Sequence, residues 1–267
     1  MNWTPEPEKW RETFNETGYL IVENVLQPHE LIEMRAILDG IESKVASDTL
    51  PPSLRRHVSL EKDRSRGLKS GYTDKALISN IMELPLFAPV LRDTIIHPRV
   101  LDIIEALFES SEFSFHNLKC ICKMPGNEVD FQWHRDLPYL PHTSTDLLTC
   151  MLCLDDMTEE NGATVICPGT HRITPEEVLD EDTDMPITKV PAHRVLATCP
   201  AGSAVLFHIS VIHGGASNRS NSPRRNIISI WSGEGCYATT TNRYAYMGLM
   251  PRSKDPMRQK QVELSLK

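Results

Sequence analysis

Hydrophobic positions recur at two different spacings along this chain. In the first third they return every three or four residues. Leu31, Ile32, Met34, Ile37, Leu38, Ile41 and Val45 fall at helical spacing. This predicts a helix over residues 29–47 and a shorter one over 9–17, stopped by Gly18. Further helices are expected over 75–82, 86–96 and 98–108. Between the first two helices, YLIVENVL reads as a strand entering a turn at Gln27 and Pro28. Residues 51–70, PPSLRRHVSLEKDRSRGLKS, read as loop.

Near residue 112 the period falls to two. FSFHNLKCICK, LLTCMLCLDD, ATVICPG, HRVLATC, SAVLFHISVI and NIISIWSG alternate in short runs broken by Pro, Gly and Asn. Many short strands with turn signals predict a sandwich or barrel. No Gly/Ser linker, internal repeat or low-complexity tract divides the chain. It is expected to form one domain over residues 1–267. The parts are a mainly helical flank (1–110), a β-sandwich core (111–235) and a C-terminal tail (236–267).

Composition narrows the class. The 267 residues are 40% hydrophobic and 24% charged, with 28 Lys+Arg against 36 Asp+Glu, a net charge of −8. Collagen, coiled coil and wholesale disorder are excluded. The acidic balance argues against nucleic acid as a partner. No apolar run reaches the ~20 residues of a membrane span. The start, MNWTPEPEKW, does not resemble a secretory signal. A cytoplasmic location and no membrane partner are therefore expected. The seven cysteines include pairs at Cys120/Cys122 and Cys150/Cys153 in apolar runs. They read as small buried hydrophobes of a reducing compartment, against a zinc or redox C-x-x-C site.

The candidate chemistry centres on Phe131-Gln132-Trp133-His134-Arg135-Asp136. In an extended segment His134 and Asp136 project to one side. His213 is the candidate third ligand. It ends a face that, read backwards along one strand, is Val211, Ile209, Phe207 and Val205. Two His and one carboxylate leave coordination positions open, as in non-haem Fe(II) oxygenases. A chelating keto acid needs a cation for its far carboxylate. Arg224 leads into one face of the following strand with Asn226, Ile228 and Ile230. Arg225 leads into the other face and remains an alternative.

These segments resemble the phytanoyl-CoA dioxygenase family of Fe(II)- and 2-oxoglutarate-dependent oxygenases. The resemblance runs through GYLIVENVLQPHEL, KMPGNEVDFQWHRD, LDDMTEENGATVICPGTHR and the stretch from His213 to Arg224, eleven positions on. It implies a mainly β fold, a double-stranded β-helix or distorted jelly roll with flanking N-terminal helices. It implies His134, Asp136 and His213 as iron ligands, Arg224 as the 2-oxoglutarate anchor and Asn226 as a helper. The implied reaction consumes O2, decarboxylates 2-oxoglutarate to succinate and oxidises an unactivated carbon of a small molecule. Halogenating relatives have Gly or Ala where this chain has Asp136, so hydroxylation or another oxidation is expected. Relatives often carry Ser two residues after the distal His; here that residue is Gly215. Thr149 or Gln132 is a candidate replacement for the missing contact.

Other polar positions have weaker signals. Lys119 is a candidate for neutralising 2-oxoglutarate or a substrate carboxylate. Asn117 is a candidate substrate contact, since a polar residue at this place touches substrate in ectoine hydroxylase. His171, His208 and Trp133 read as architecture, and His142 as pocket or surface turn. The basic residues of 51–70 suit either a solvated loop or a lid attracting an anionic substrate. Two rivals differ in kind: a zinc hydrolase or isomerase on the same triad, and a binding module without chemistry. The first would not need Arg224, and the second would need neither it nor the triad.

Overall fold

The computed structural model describes residues 3–62, 76–128, 130–173, 187 and 189–267. Among them, eleven strands form two antiparallel sheets that face each other as a jelly roll. The strands are β1 (Tyr19–Val22), β2 (Val58–Leu60), β3 (Ile78–Ile81), β4 (Ser114–Lys123), β5 (Phe131–His134) and β6 (Leu147–Cys153). They continue as β7 (Val165–Ile166), β8 (Val195–Leu196), β9 (Ala204–His208), β10 (His213–Gly215) and β11 (Arg224–Ser232). The major sheet runs β1-β9-β6-β11-β4-β3-β2 and the minor one β5-β10-β7-β8.

The helical stripe at 29–47 forms α2 (Pro28–Ala46), entered through a capping box between Gln27 and Glu30. It buries Leu31, Met34, Leu38 and Ile41. Helix α1 (Pro7–Thr17) ends where Gly18 adopts φ 79°, and the Gly18 N–H donates to the Phe14 carbonyl at 2.7 Å. With the helix Pro98–Phe108, these pack on the outer face of the major sheet around Phe113, Phe115 and Trp231. A second core lies between the sheets and includes Met151, Ile166, Val205, Phe207 and Ile228. The two cores follow from alternation in β4, β6 and β11: odd and even residues bury against different partners.

Several expectations are corrected. Residues 78–81, expected helical, form β3, because pairing of Asn80 with Ile121 and Ile81 with Cys120 overrides a weak helical pattern. Residues 51–62 hold a short helix (Pro52–Arg55) and β2 where only loop was expected. Arg64, Arg66 and Lys69 lie outside the described residues, and with them the proposed lid. The stretch 84–96 is a short helix, Pro89–Arg92, between two 3-10 turns. The mainly helical flank also supplies β1, β2 and β3, and the tail contains a helix, Pro256–Ser265.

SAVLFHISVIHGG is not one strand. β9 ends at His208, and β10 begins at His213 in the other sheet. The shared face survives this turn: Val205, Phe207, Ile209 and Val211 all bury in the inter-sheet core. Among the described residues, no helix is long and apolar enough to cross a membrane.

Candidate metal centre

His134 and His213 sit directly opposite each other in the β5–β10 pairing, with ring centroids 4.2 Å apart. Asp136 lies just past the end of β5, where the chain turns into a 3-10 segment (φ −76°, ψ −23°). The expected extended geometry therefore stops at His134, and a turn brings the carboxylate back. Asp136 Oδ1 lies 3.6 Å from His134 Nε2 and 3.8 Å from His213 Nε2. One donor atom from each residue falls within 4.8 Å of the other two. Among the described residues this is the one such cluster.

The other side of each of these residues is tied. His134 Nδ1 donates to the Gln132 carbonyl at 2.7 Å, and His213 Nδ1 to the Val211 carbonyl at 3.1 Å. Each bond fixes a tautomer that leaves the inward Nε2 lone pair open. Thr149 donates its hydroxyl to Asp136 Oδ2 at 3.0 Å, leaving Oδ1 toward the imidazoles. Burial and the neighbouring His134 push His213 down to about 4, so its imidazole is neutral at neutral pH. Burial raises Asp136, but His213, His134 and Lys119 outweigh it and hold the carboxyl well below the usual range. Two imidazole nitrogens and a carboxylate suit a borderline divalent cation such as Fe(II).

A cavity opens onto this cluster, lined also by Lys119, Lys123, Thr149, Arg224 and Asn226. Arg224 and Arg225 have opposite environments. The Arg225 guanidinium bonds Asp155 at 2.9 and 3.1 Å and Asp39 at 2.5 Å, on the outer face. Arg224 is buried on the cavity face. Its Nη1 donates to the Gly162 carbonyl at 2.7 Å, while its Nε has no partner. Burial lowers its pKa to about 10, still charged at neutral pH. Asn226 Oδ1 is likewise buried without a partner, and its amide nitrogen has the thioethers of Met151 and Met157 as acceptors.

Of the remaining expected residues, Thr149 reaches the carboxylate, and Gln132 acts through its carbonyl; its side chain is not among those lining the cavity. Asn117 is buried, two positions beyond Lys119 on the same face of β4.

Lys123 was missed by the sequence reading. It is buried and donates to the Gly162 and Ala216 carbonyls. A Cβ at Gly215 would already lie 3.3 Å from Lys123 Nζ, so the glycine leaves room for this ammonium. The signal was present, since alternation in FSFHNLKCICK puts Lys123 on the face of Asn117 and Lys119.

Two sequence motifs act as brackets. In NGA, Gly162 adopts φ 73°, a Cβ there would strike the Ala216 carbonyl, and its own carbonyl accepts from both Lys123 and Arg224. In PGTHR, Thr170 Oγ1 accepts from the Ile212 N–H at 2.9 Å, next to His213. The Thr170 carbonyl accepts from Arg135 Nη2 at 3.0 Å, between His134 and Asp136. One turn thus fastens both segments that carry the cluster.

None of His208, His171 and Trp133 is among the residues lining the cavity: His208 and His171 pair at 5.6 Å, and Arg194 lies over the Trp133 ring. All seven cysteines are free and buried. Cys120 and Cys122 lie 3.7 Å apart in the outer core, and Cys150 and Cys153 point to opposite faces of β6.

Comparison with known proteins adds an independent line. Residues 14–226 match the family described as Phytanoyl-CoA dioxygenase (PhyH). A probable alpha-ketoglutarate-dependent hypophosphite dioxygenase of Stutzerimonas stutzeri is 27% identical over 214 residues, covering 74% of this chain and 72% of that protein. Ectoine dioxygenase of Nocardia farcinica (strain IFM 10152) is 27% identical over 258 residues, 85% and 80% of the two chains. The crystal structure of EctD from S. alaskensis with bound Fe is similar in fold, with TM-score 0.70 and 19% identity, covering 95% of this chain and 88% of that one.

Proposed function

Because the chain belongs to the phytanoyl-CoA dioxygenase family, we propose that His134, Asp136 and His213 are its iron ligands and Arg224 its 2-oxoglutarate anchor. The protein is a non-haem Fe(II)- and 2-oxoglutarate-dependent dioxygenase. Iron, when bound, supplies the site that activates O2 as 2-oxoglutarate is decarboxylated to succinate. The chain's own residues bind, orient and shield. His134 and His213 present fixed Nε2 lone pairs. Thr149 holds the Asp136 carboxylate in one rotamer. Arg224 offers an unpartnered Nε to the far carboxylate of the keto acid, and Asn226 stands two positions on along the same cavity-lining strand face.

The observation carrying the anchor assignment is the unmatched state of Arg224 beside the satisfied state of Arg225. A buried guanidinium whose Nε lacks an acceptor is costly unless an anion completes it. Lys123 extends the same positive end of the cavity. The reaction we assign is hydroxylation, or another oxidation, of an unactivated carbon in a small molecule. Asp136 supports this over halogenation, because the carboxylate takes the position a halide would need. A cavity with three cations and one carboxylate among its lining residues favours an anionic substrate.

The test is anaerobic. Fe(II) and then 2-oxoglutarate are added to wild type and to Arg224→Ala, and the visible spectrum is recorded. A weak charge-transfer band in wild type, lost or weakened in the variant, is expected. Folded, iron-loaded wild type without any band would refute the assignment and return attention to hydrolysis.

A further inference from the structure

The spacing Cys150-x-x-Cys153 suggests a thiol pair that the fold does not form, since the two side chains point to opposite faces of β6. Cys153 meets a different thiol. Cys199, 46 residues on and shortly before β9, brings its Sγ to 3.6 Å from Cys153 Sγ in the inter-sheet core. Backbone hydrogen bonds hold both residues. The Cys153 N–H donates to the Ser203 carbonyl and the Cys153 carbonyl accepts from the Gly202 N–H, each at 2.8 Å. Cys199 exchanges two bonds with Met157, at 2.8 and 3.1 Å. A disulfide holds its sulfurs at about 2.05 Å, so these two must close by roughly 1.6 Å. Turning each Cα–Cβ bond by about 30° moves each sulfur by roughly 0.8 Å, which covers that gap at modest cost. Cys120 and Cys122, 3.7 Å apart, are placed worse. They are alternate residues of one strand, with Cα atoms roughly 6.7 Å apart and parallel side chains, at the limit of disulfide geometry.

The two thiols are not equivalent. Cys199 is 7% exposed and Cys153 is fully buried, so a small oxidant reaches Cys199 first. Contact between the two lowers the Cys199 pKa and raises that of Cys153, so Cys199 also ionises first. The pair lies under the Arg224 end of the cavity. Cys153 is the register partner of Asn226 across the β6–β11 ladder, and its sulfur acts electrostatically on Arg224. Met157, bridged to Cys199, holds its thioether 3.3 Å from Asn226 Nδ2. A shift of Cys199 toward Cys153 is therefore passed through Met157 to the floor of the cavity.

We infer that Cys153 and Cys199 are a site of reversible oxidation, closed to a disulfide by a hydroperoxide and reopened by a dithiol, and that closure weakens keto-acid binding at the Arg224 end. The pairing stands on the sulfur geometry alone; its effect rests on the 2-oxoglutarate reading. The chemistry balances with hydrogen peroxide as oxidant. The Cys199 thiolate attacks one peroxide oxygen, the O–O bond breaks, and the departing hydroxide leaves as water with the Cys199 proton. Cys153 then attacks the resulting sulfenic sulfur. The S–S bond forms, the S–O bond breaks, and hydroxide leaves as a second water with the Cys153 proton. Two thiols lose two electrons, and one peroxide gains them.

The test treats the full-length chain with hydrogen peroxide after a chelator has removed metal, so that peroxide meets no iron. Free thiols are then alkylated, and the peptides are mapped by mass spectrometry without reduction. A cross-linked pair carrying Cys153 and Cys199 is expected, and dithiothreitol should abolish it. Unalkylated samples of the oxidised, re-reduced and untreated protein are desalted, made anaerobic and loaded with Fe(II). Titration with 2-oxoglutarate then follows the charge-transfer band. The midpoint should rise about fivefold or more on oxidation, the low end for coupled sites, and return on reduction. Cys199→Ser should keep the untreated midpoint within twofold and lose the response to peroxide; circular dichroism checks its fold. Wild type without the cross-link overturns the proposal, whether its thiols stay free, Cys120 and Cys122 join instead, or Cys199 ends as a sulfinic acid. A cross-link with an unchanged midpoint, or a peroxide response that survives in Cys199→Ser, overturns the coupling. Absence of the band in untreated wild type is a separate failure, that of the iron and 2-oxoglutarate reading, and the peptide map still decides the pairing.

Discussion

The two faces of β4, β6 and β11 share one backbone and one set of ladder hydrogen bonds, yet they are built for different ends. On the outer face Leu118, Cys120, Leu148, Leu152, Ile227 and Trp231 merge into the core under the helices. Even the polar groups there are paired. Trp231 Nε1 donates to Ser229 Oγ at 2.8 Å, and Arg225 is saturated by Asp155 and Asp39. On the inner face Asn117 Oδ1, Arg224 Nε and Asn226 Oδ1 are buried without partners. A fold optimised only for stability would not leave them so, since each missing bond costs about 1–3 kcal/mol. The outer face stores the stability that the inner face gives up to remain ready for ligands.

Substitutions can break this contrast. The largest effect is expected at Trp231, fully buried between Phe113 and Phe115. Trp231→Ala should cost about 3–5 kcal/mol in urea denaturation, through a cavity the core cannot collapse. An equal loss of iron affinity in the folded fraction would mean that the faces are not separable. Arg225→Ala should come next, at about 2 kcal/mol, because Asp155 is left with Arg35 alone, at 3.2 Å. Its 2-oxoglutarate midpoint is expected to stay near that of wild type.

Arg224→Ala should show the reverse. Stability should change by less than about 1 kcal/mol, since a poorly matched buried charge is removed. Keto-acid binding should fall at least about 30-fold, from the ~2–5 kcal/mol of a lost buried charge pair. Retained binding, measured by isothermal titration to the Fe(II) form, would move the anchor elsewhere, with Lys123 first in line. The smallest effect is expected from Thr149→Val, which keeps the shape and removes the hydroxyl on Asp136. Iron affinity should drop about tenfold, the low end for loss of an outer-shell partner. An unchanged affinity in a chelator competition would show that the turn after β5 alone orients the carboxylate.

Much of this contrast was legible in the sequence. Alternation in NIISIWSG and LLTCMLC marks both faces without further information, because strand side chains alternate strictly. The H-x-D pair, the distal His and the Arg eleven positions on were readable as a set. The identity of the inner face was not. On the residues alone Arg225 stayed open beside Arg224, and the Asp39 and Asp155 that saturate Arg225 come from α2 and from the turn after β6. Lys123 was missed for the same reason: its meaning lies in what faces it across the sheet.

Local pattern thus determined the element types where the period was strong, the two-sided strands and the residue types of the His–Asp–His cluster. These depend on neighbours a few positions away. The tertiary structure decided that residues 78–81 extend the major sheet. It also decided that the chain turns a corner between His208 and His213, and that Asp136 reaches its partners from a turn. Each of these depends on hydrogen bonds and burial contributed by segments distant in the chain. A local period cannot register such forces, and they override a weak propensity whenever pairing or packing offers more free energy.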